Sequence, residues 1–105
     1  MKYIVVWSSL AESRIDEIYE YYRVNADHNI AIKLIKKLVG STNRLSKAPK
    51  MGTIEPLLIN REVEYRFLVY KNYKIIYSVN HLETQVRVAA VFDTRQNPIK
   101  IKVVE

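Results

Sequence analysis

YRFLVYKNYKIIYSV, residues 65–79, decides the fold of this chain. Both halves of the stretch are rich in aromatic and β-branched residues, which are the residues that favour β-strands. The segment Tyr70-Lys71-Asn72 separates the two halves and interrupts the apolar pattern. The stretch therefore predicts two antiparallel strands joined by a short turn.

The length of this hairpin loop determines which side chains share a face, because a slip of one residue turns every side chain over. A two-residue loop would place Lys74 on the same face as Tyr65 and Phe67. A three-residue loop sorts apolar from basic side chains better, and it gives Asn72 the left-handed position that this loop needs. We therefore predict the three-residue loop. One face then carries Tyr65, Phe67, Val69, Tyr73, Ile75 and Tyr77, and the other carries Arg66, Leu68, Lys74 and Ile76.

The segment before the hairpin predicts one strand and two helices. Residues 2–7 form an apolar strand pattern, and Ser9 with Glu12 predicts a capping box at the start of the first helix. A second amphipathic pattern runs from about residue 27 to residue 47. Two amphipathic helices joined by a short loop pack as an antiparallel helical hairpin.

The segment after the hairpin predicts a third meander strand over residues 84–92, with Val86, Val88, Ala90 and Phe92 facing the core. The tail IKIKVV, residues 99–104, alternates and predicts a possible extra C-terminal strand. The fold class is therefore α+β. We predict the order β-α-α-β-β-β, with the helical hairpin packed on one face of a mainly antiparallel sheet.

Composition limits what the protein can be. A chain of 105 residues suits a single domain over residues 1–105. The absence of cysteine excludes disulfides and thiolate metal sites, and two glycines leave no glycine-rich phosphate loop. We expect no cofactor, no metal and no small-molecule substrate. The opening MKYIVVW is too short for a signal sequence, so we expect a cytoplasmic protein without a membrane partner.

Charge points to an anionic partner. Seventeen basic and eleven acidic residues give a net charge of +6. The segment from Lys33 to Lys50 contains no acid and is strongly basic; its bases are Lys33, Lys36, Lys37, Arg44, Lys47 and Lys50. Such a stripe fits a nucleic acid or an acidic protein, and it also fits a face that is simply solvated.

The helical hairpin can cover only one face of the sheet. The opposite face would mix the bases Arg66, Lys74 and Arg87 with four aliphatic side chains: Leu68, Ile76, Ala89 and Val91. An open face of this composition predicts a binding surface. The alternative is that loops or the C-terminal tail cover it.

The order of these elements, with Tyr73-Lys74-Ile75-Ile76-Tyr77 in the hairpin and VFDTRQNP at residues 91–98, resembles the RelE/ParE toxin superfamily. The resemblance extends over nearly the whole chain and includes Trp7 before the first helix. It implies the toxin of a bacterial type II toxin–antitoxin module of the plasmid stabilisation type. It also implies a cognate antitoxin as a partner.

The superfamily implies two activities on one fold. RelE-like members cut mRNA on the ribosome, and ParE-like members inhibit DNA gyrase without cutting RNA. A third possibility is a non-toxic protein-interaction module. Whether the protein is an enzyme therefore stays open, because fold alone does not decide function.

The resemblance assigns Arg66, Lys74 and Arg95 as candidate catalytic or target-contacting residues. Leu68 stands where the ribonuclease pattern has a second base, and the tail after Arg95 contains neither tyrosine nor histidine. We therefore expect a ParE-like inhibitor of DNA gyrase, with a ribosome-dependent mRNA interferase as the alternative. Arg95 either contacts an anionic group of the partner or pairs locally with Asp93 in a solvated turn.

Overall fold

The computed structural model describes residues 2–104. That part of the chain forms one five-stranded sheet, two α-helices and three short 3-10 helices. The strands are β1 (Ile4–Trp7), β2 (Thr53–Ile54), β3 (Tyr65–Tyr70), β4 (Tyr73–Asn80) and β5 (Gln85–Asp93). The α-helices are α1 (Ser9–Asn25) and α2 (His28–Gly40), and the 3-10 helices are Asn43–Ser46, Pro56–Leu58 and Pro98–Val103. The predicted α+β class and the predicted helical hairpin are confirmed.

The strand order across the sheet is β1-β5-β4-β3-β2. Short turns connect β3, β4 and β5, so these strands form an antiparallel meander. The chain leaves β1 through both helices, and β1 pairs with β5 in parallel, with Val5 opposite Val86. The helical hairpin thereby lies on one face of the sheet.

Local side-chain bonds set the ends of the helices. Ser8, rather than the predicted Ser9, caps α1: its hydroxyl accepts from the Ala11 N–H and donates to the Ala89 carbonyl at 2.7 Å. The second helix ends at Gly40, well before the predicted end near residue 47. Glycine has a low helix propensity, and the hydroxyl of Thr42 bonds back to the Val39 carbonyl.

The predicted three-residue hairpin loop is wrong. Tyr70 pairs with Tyr73, so the loop is Lys71-Asn72, and Lys71 rather than Asn72 has the positive φ, at 53°. This register places Leu68 opposite Ile75, facing the helices. The prediction assumed that one face of the sheet is open, and that assumption fails because both faces are covered.

A β-bulge redirects the second half of β5. Ile76 pairs with Ala90 while Tyr77 pairs with Val88, which leaves Ala89 as an extra residue. Val86 and Val88 face the helices as predicted, but Ala90 and Phe92 pack on the opposite face. A bulge shifts the alternation by one residue, so a simple period of two cannot describe the whole strand.

The sheet separates two hydrophobic cores. The first lies between the sheet and the helices and contains Ala11, Leu38, Leu45, Leu68, Tyr73, Ile75, Tyr77, Val86, Val88 and Val91. The second lies on the other face and contains Leu58, Tyr65, Ile76, Ala89, Ala90, Phe92, Ile101 and Val104. The predicted open face is therefore wrong, and the alternative that loops and the tail cover it is confirmed.

The C-terminal tail closes the second core as a 3-10 helix, not as the extra strand that its alternation suggested. The Asn97 side chain caps Pro98–Val103 by accepting from the Ile99 N–H. The Arg61 guanidinium donates to the carbonyl of Lys102 at 2.6 Å and also to that of Val104. These bonds hold Ile101 and Val104 against the sheet.

Gly52 anchors the long connection between the helices and the meander. Its N–H donates to the Tyr77 hydroxyl at 2.9 Å, and its carbonyl accepts from Arg66 at 2.8 Å. A Cβ atom at this position would lie 2.6 Å from the Phe67 carbonyl oxygen and 2.6 Å from the Tyr77 hydroxyl. Only glycine permits this close approach. Burial raises the pKa of Tyr77, which keeps its hydroxyl neutral.

We expect Gly52→Ala to lower the free energy of unfolding by about 2 kcal/mol, because the added methyl group overlaps backbone and a buried phenol. Gly40→Ala is the matched control. Nothing lies within 4 Å of a Cβ atom at Gly40, so alanine there should stabilise the helix end by about 0.5 kcal/mol. Urea unfolding of both variants measures the difference, and equal stabilities would contradict the packing at Gly52.

We expect Leu68→Ala to cost about 3 kcal/mol, because Leu68 is buried in the first core. Val69, the next residue, is 54% exposed, so Val69→Ala should cost less than about 1 kcal/mol. Thermal and urea unfolding distinguish the two positions. A larger loss for Val69→Ala would show that the three-residue loop register is correct after all.

Candidate functional site

The structure places two of the three candidate basic residues, Arg66 and Lys74, on opposite faces of the sheet. Arg66 pairs with Tyr77 in the ladder and belongs to the face of the first core. Lys74 pairs with Val69 and Phe92 and belongs to the opposite face. Arg95 follows β5 in a turn, and its side chain lines a cleft beside α1. Arg66 and Lys74 therefore do not converge on one surface.

Arg66 holds the Gly52 connection against the sheet edge. Its guanidinium bonds to the Glu64 carboxylate at 3.0 Å and to the carbonyls of Lys50 and Gly52 at 3.2 and 2.8 Å. The side chain is only 17% exposed. Its hydrogen-bonding capacity is thus largely used within the chain.

Lys74 neutralises a buried carboxylate. Its Nζ lies 2.5 Å from Oε2 of Glu55, which is fully buried, and 4.2 Å from the centroid of the Phe67 ring. The other carboxylate oxygen of Glu55 accepts from the Leu57 N–H at 3.1 Å and caps the Pro56–Leu58 3-10 helix. Sequence reasoning missed Glu55, because an acid in a proline-containing loop is usually exposed. The only signal was the order Glu-Pro, which is typical of a helix start.

Arg95 forms the local ion pair with Asp93, which was one of the two alternatives predicted for it. Its Nε and Nη2 donate to the Asp93 carboxylate at 2.9 and 2.7 Å, and its N–H donates to the same carboxylate. This fork holds the pKa of Asp93 well below its usual range and raises the pKa of Arg95. The Arg95 side chain is nevertheless 68% exposed, so a partner can still reach it.

The Arg95 cleft has a volume of about 280 Å³ and lies between α1 and the end of β5. Its charged and aromatic lining includes Arg14, Glu17, Tyr21, Tyr73, Asp93 and Arg95. Arg14 donates to Glu17 at 3.1 Å, and its guanidinium lies 5.8 Å from the centroid of the Phe92 ring. Two arginine–carboxylate pairs, Arg14–Glu17 and Arg95–Asp93, thus line one concave surface.

Arg14 was not among the candidate residues predicted from the sequence. It lies three residues after Ala11 and four before Ile18, and this spacing places it beside the packed face of α1. That spacing could have identified Arg14 as a candidate, because a basic residue beside the apolar face of a helix lies next to the element on which that face packs. Arg14 and Arg95 together give the cleft its positive groups.

Three groups that line the Arg95 cleft, Tyr73, Asp93 and Arg95, have pKa values displaced away from neutrality. Burial, followed by the contact with Tyr22, raises the pKa of the Tyr73 phenol, and Arg95 lowers the pKa of Asp93. A general acid or base works best with a pKa near the operating pH. His28 and His81 lie elsewhere, where their Nδ1 atoms are 2.8 Å from the hydroxyls of Tyr19 and Tyr3. Tyr73, Asp93 and Arg95 are therefore poorly matched to proton transfer near neutral pH.

Residues 2–104 contain no group of three or more histidine, cysteine, aspartate or glutamate side chains placed to hold a metal ion. None of the helices in that range is long and apolar enough to cross a membrane.

A family model for the ParE toxin of the type II toxin–antitoxin system parDE matches residues 5–98. The chain belongs to the ParE toxin family. The predicted RelE/ParE membership is thereby confirmed, and so is the broader prediction of a type II toxin. A search of curated protein sequences gave no match.

Solved structures show the same fold. A chain from "Chromosomal ParDE TA system from P. aeruginosa" is similar with a TM-score of 0.72 and 17% identity, covering 88% of this chain and 96% of that one. A chain from the RelBE2 toxin–antitoxin complex of Mycobacterium tuberculosis has a TM-score of 0.56 and 14% identity, with coverages of 89% and 92%. At these identities the likeness is one of fold.

We expect Lys74→Met to destabilise this ParE-family protein by roughly 2–3 kcal/mol, because it leaves the buried Glu55 carboxylate without its cation. Lys74 keeps 23% side-chain exposure, which places the loss below that of a fully buried pair. The double variant Glu55→Gln/Lys74→Met should recover more than half of the loss. Urea unfolding of the single and double variants tests this, and a Lys74→Met variant as stable as the parent would contradict it.

Proposed function

We propose that this protein is a ParE-like toxin that inhibits DNA gyrase and that a cognate antitoxin neutralises it. The observation that carries the proposal is the family-model match over residues 5–98, nearly the whole chain. The two solved structures described above come from toxin–antitoxin systems, and this supports an antitoxin partner. Because gyrase acts on chromosomal and plasmid DNA, the proposal includes a cytoplasmic location.

The placement of the basic residues supports gyrase over mRNA as the target. RNA cleavage by attack of a 2′-hydroxyl needs a base, an acid and charge-stabilising groups around one phosphate. Arg66 and Lys74 occupy opposite faces of the sheet, and each is engaged by a carboxylate of its own chain. A single phosphate cannot contact both, so these residues favour a protein that binds its target without cutting RNA.

The Arg95 cleft is the surface that we assign to the protein target. Asp93 engages Nε and Nη2 of Arg95 and fixes the guanidinium in position. Nη1 is then available to a carboxylate of the partner, and a pre-oriented guanidinium loses less entropy on binding than a free side chain. Arg14 and Glu17 on α1 extend the same charged surface. A partner with its own mixture of acids and bases fits this lining.

The test compares Arg95→Ala and Arg95→Lys with the parent. Both variants should remain folded, because Arg95 is exposed, and both should reduce the loss of colonies after induced expression by at least tenfold. Arg23→Ala is the matched control. Arg23 forms an exposed ion pair with Glu20 on α1, and such pairs contribute little to stability, so toxicity should persist.

Two measurements show which target is hit. Purified protein should inhibit the supercoiling of relaxed plasmid by gyrase, and added antitoxin should relieve that inhibition. Cells should show arrested DNA replication while their mRNA stays intact. Cleavage of ribosome-bound mRNA with normal supercoiling would replace the gyrase proposal with an mRNA interferase. Full toxicity of folded Arg95→Ala would remove Arg95 from the contact surface.

A further inference from the structure

A second cleft, of about 310 Å³, lies between α2 and the tip of the β3–β4 hairpin. We call it the lysine cleft, and the residues that define it are Lys33, Lys37, Lys71, Tyr22, Tyr70 and Asn72. Tyr73 lines both this cleft and the Arg95 cleft, so the two are neighbours. The roles assigned to the Arg95 cleft do not involve these lysines.

The lysine cleft has positive charge that the chain itself does not neutralise. Its lining contains three lysines and no acidic residue. Within residues 2–104, none of these three lysines has an acidic partner. The ion pairs in that range involve other cations, namely Arg14, Arg23, Arg66, Lys74 and Arg95. Lys33 and Lys37 are one helical turn apart, and like charges at this spacing destabilise a helix. The repulsion between Lys33 and Lys37 lowers the stability of α2 in the free protein, and an anionic ligand would relieve it.

The position of Lys71 points in the same direction. It is one of the two non-glycine residues in the described chain with positive φ, at 53°. Asparagine or glycine fits this conformation better than lysine, and Asn72 is the very next residue. Its Nζ lies 5.9 Å from the centroid of the Tyr70 ring. A lysine held in this conformation at a hairpin tip is a candidate for a functional role.

We propose that the lysine cleft binds the phosphate backbone of duplex DNA, at the DNA segment on which gyrase acts. This inference rests on the proposed function and adds a second ligand to it. Lysine ammonium groups, tyrosine hydroxyls and asparagine amides all contact phosphate oxygens in protein–DNA complexes, and such contacts do not read the base sequence. A protein bound to gyrase through the Arg95 cleft would then hold the adjacent DNA through the lysine cleft.

The spacing of the cations fits a phosphate backbone. The lysine cleft contains no arginine fork, which pairs bidentately with carboxylate or phosphate, and its lysines act as point charges that phosphate also accepts. Lysines four residues apart on an α-helix repeat a point charge at about 6 Å along the axis. A regular row of phosphates offers repeated charge of the opposite sign. An acidic protein segment is the competing occupant, and the experiment below separates the two.

Binding of a 30-base-pair duplex of random sequence, measured by fluorescence anisotropy over a range of salt concentrations, tests the proposal. The variant Lys33→Gln/Lys37→Gln/Lys71→Gln should bind at least tenfold more weakly at 0.1 M salt. For this variant, the slope of log affinity against log salt concentration should be smaller in magnitude by about 2 to 3, because each phosphate contact contributes about 0.9 to the slope. Circular dichroism and thermal melts confirm that the variant is folded.

The control variant Lys2→Gln/Lys100→Gln/Lys102→Gln removes the same charge from other exposed positions. It should weaken DNA binding less than threefold. Equal weakening by both triple variants would overturn the proposal, because binding would then follow net charge alone. Tighter binding of single-stranded RNA than of the duplex would also overturn it. A competition experiment provides the third such outcome. If polyglutamate displaces the labelled duplex at a lower concentration of negative charge than unlabelled duplex does, the proposal is overturned and the cleft is assigned to an acidic protein.

The two proposals fail in different ways. DNA binding is measured without gyrase, so loss of duplex binding in the parent overturns the lysine cleft and leaves gyrase inhibition standing. Supercoiling that proceeds normally in the presence of protein that binds the duplex overturns gyrase inhibition instead. If both proposals hold, the lysine-cleft variant should need a higher concentration than the control variant to inhibit gyrase.

Discussion

The fold depends on one constraint, which is that the meander is apolar on both faces. The helical hairpin covers one face, and the chain has no third α-helix in its described part to cover the other. The Pro56–Leu58 and Pro98–Val103 segments therefore fold over the second face and bury Leu58 and Ile101 there. Burial of this second core explains the two-residue hairpin loop and the bulge in β5, because together they direct apolar side chains to both sides. It also explains why Glu55, placed under the same cover, needs Lys74 as its counter-ion.

Much of the fold was predictable from the sequence, because the features concerned are local. Strands β1, β3, β4 and β5 and the helical hairpin follow from periodicity and composition, and the resemblance added the correct family. The hairpin register was not predictable. Alternation identifies a face only when the other face meets water, and here Leu68 and Phe67 both contact apolar neighbours. The tail also misled, since IKIKVV alternates like a strand, yet Pro98 and the Arg61 bonds place it in a 3-10 helix.

The candidate site was predictable only as a set of residues. Arg95 lies exposed at the end of β5, where the resemblance placed it, and its local pair with Asp93 matches one of the two alternatives. Sequence could not show that Arg66 and Lys74 lie on opposite faces, because that depends on the register of one turn. Nor could it show which cations have partners, since the carboxylate that engages Lys74 is nineteen residues earlier in the chain. The two clefts on either side of Tyr73 are products of tertiary packing between α1, α2 and the meander.

The parallel pairing of β1 with β5 has a consequence for the order of events during synthesis. Ile4–Trp7 leaves the ribosome early, but its neighbour in the sheet is Gln85–Asp93, and the second core also needs Ile101 and Val104. Contacts between residues so far apart in sequence form slowly, because a long loop must close before they contribute stability. A nascent chain that ends before residue 98 therefore has an incomplete second core. The folded surface that carries both clefts thus matures only after almost all of residues 2–104 have been translated, which separates the start of synthesis from the appearance of the complete fold.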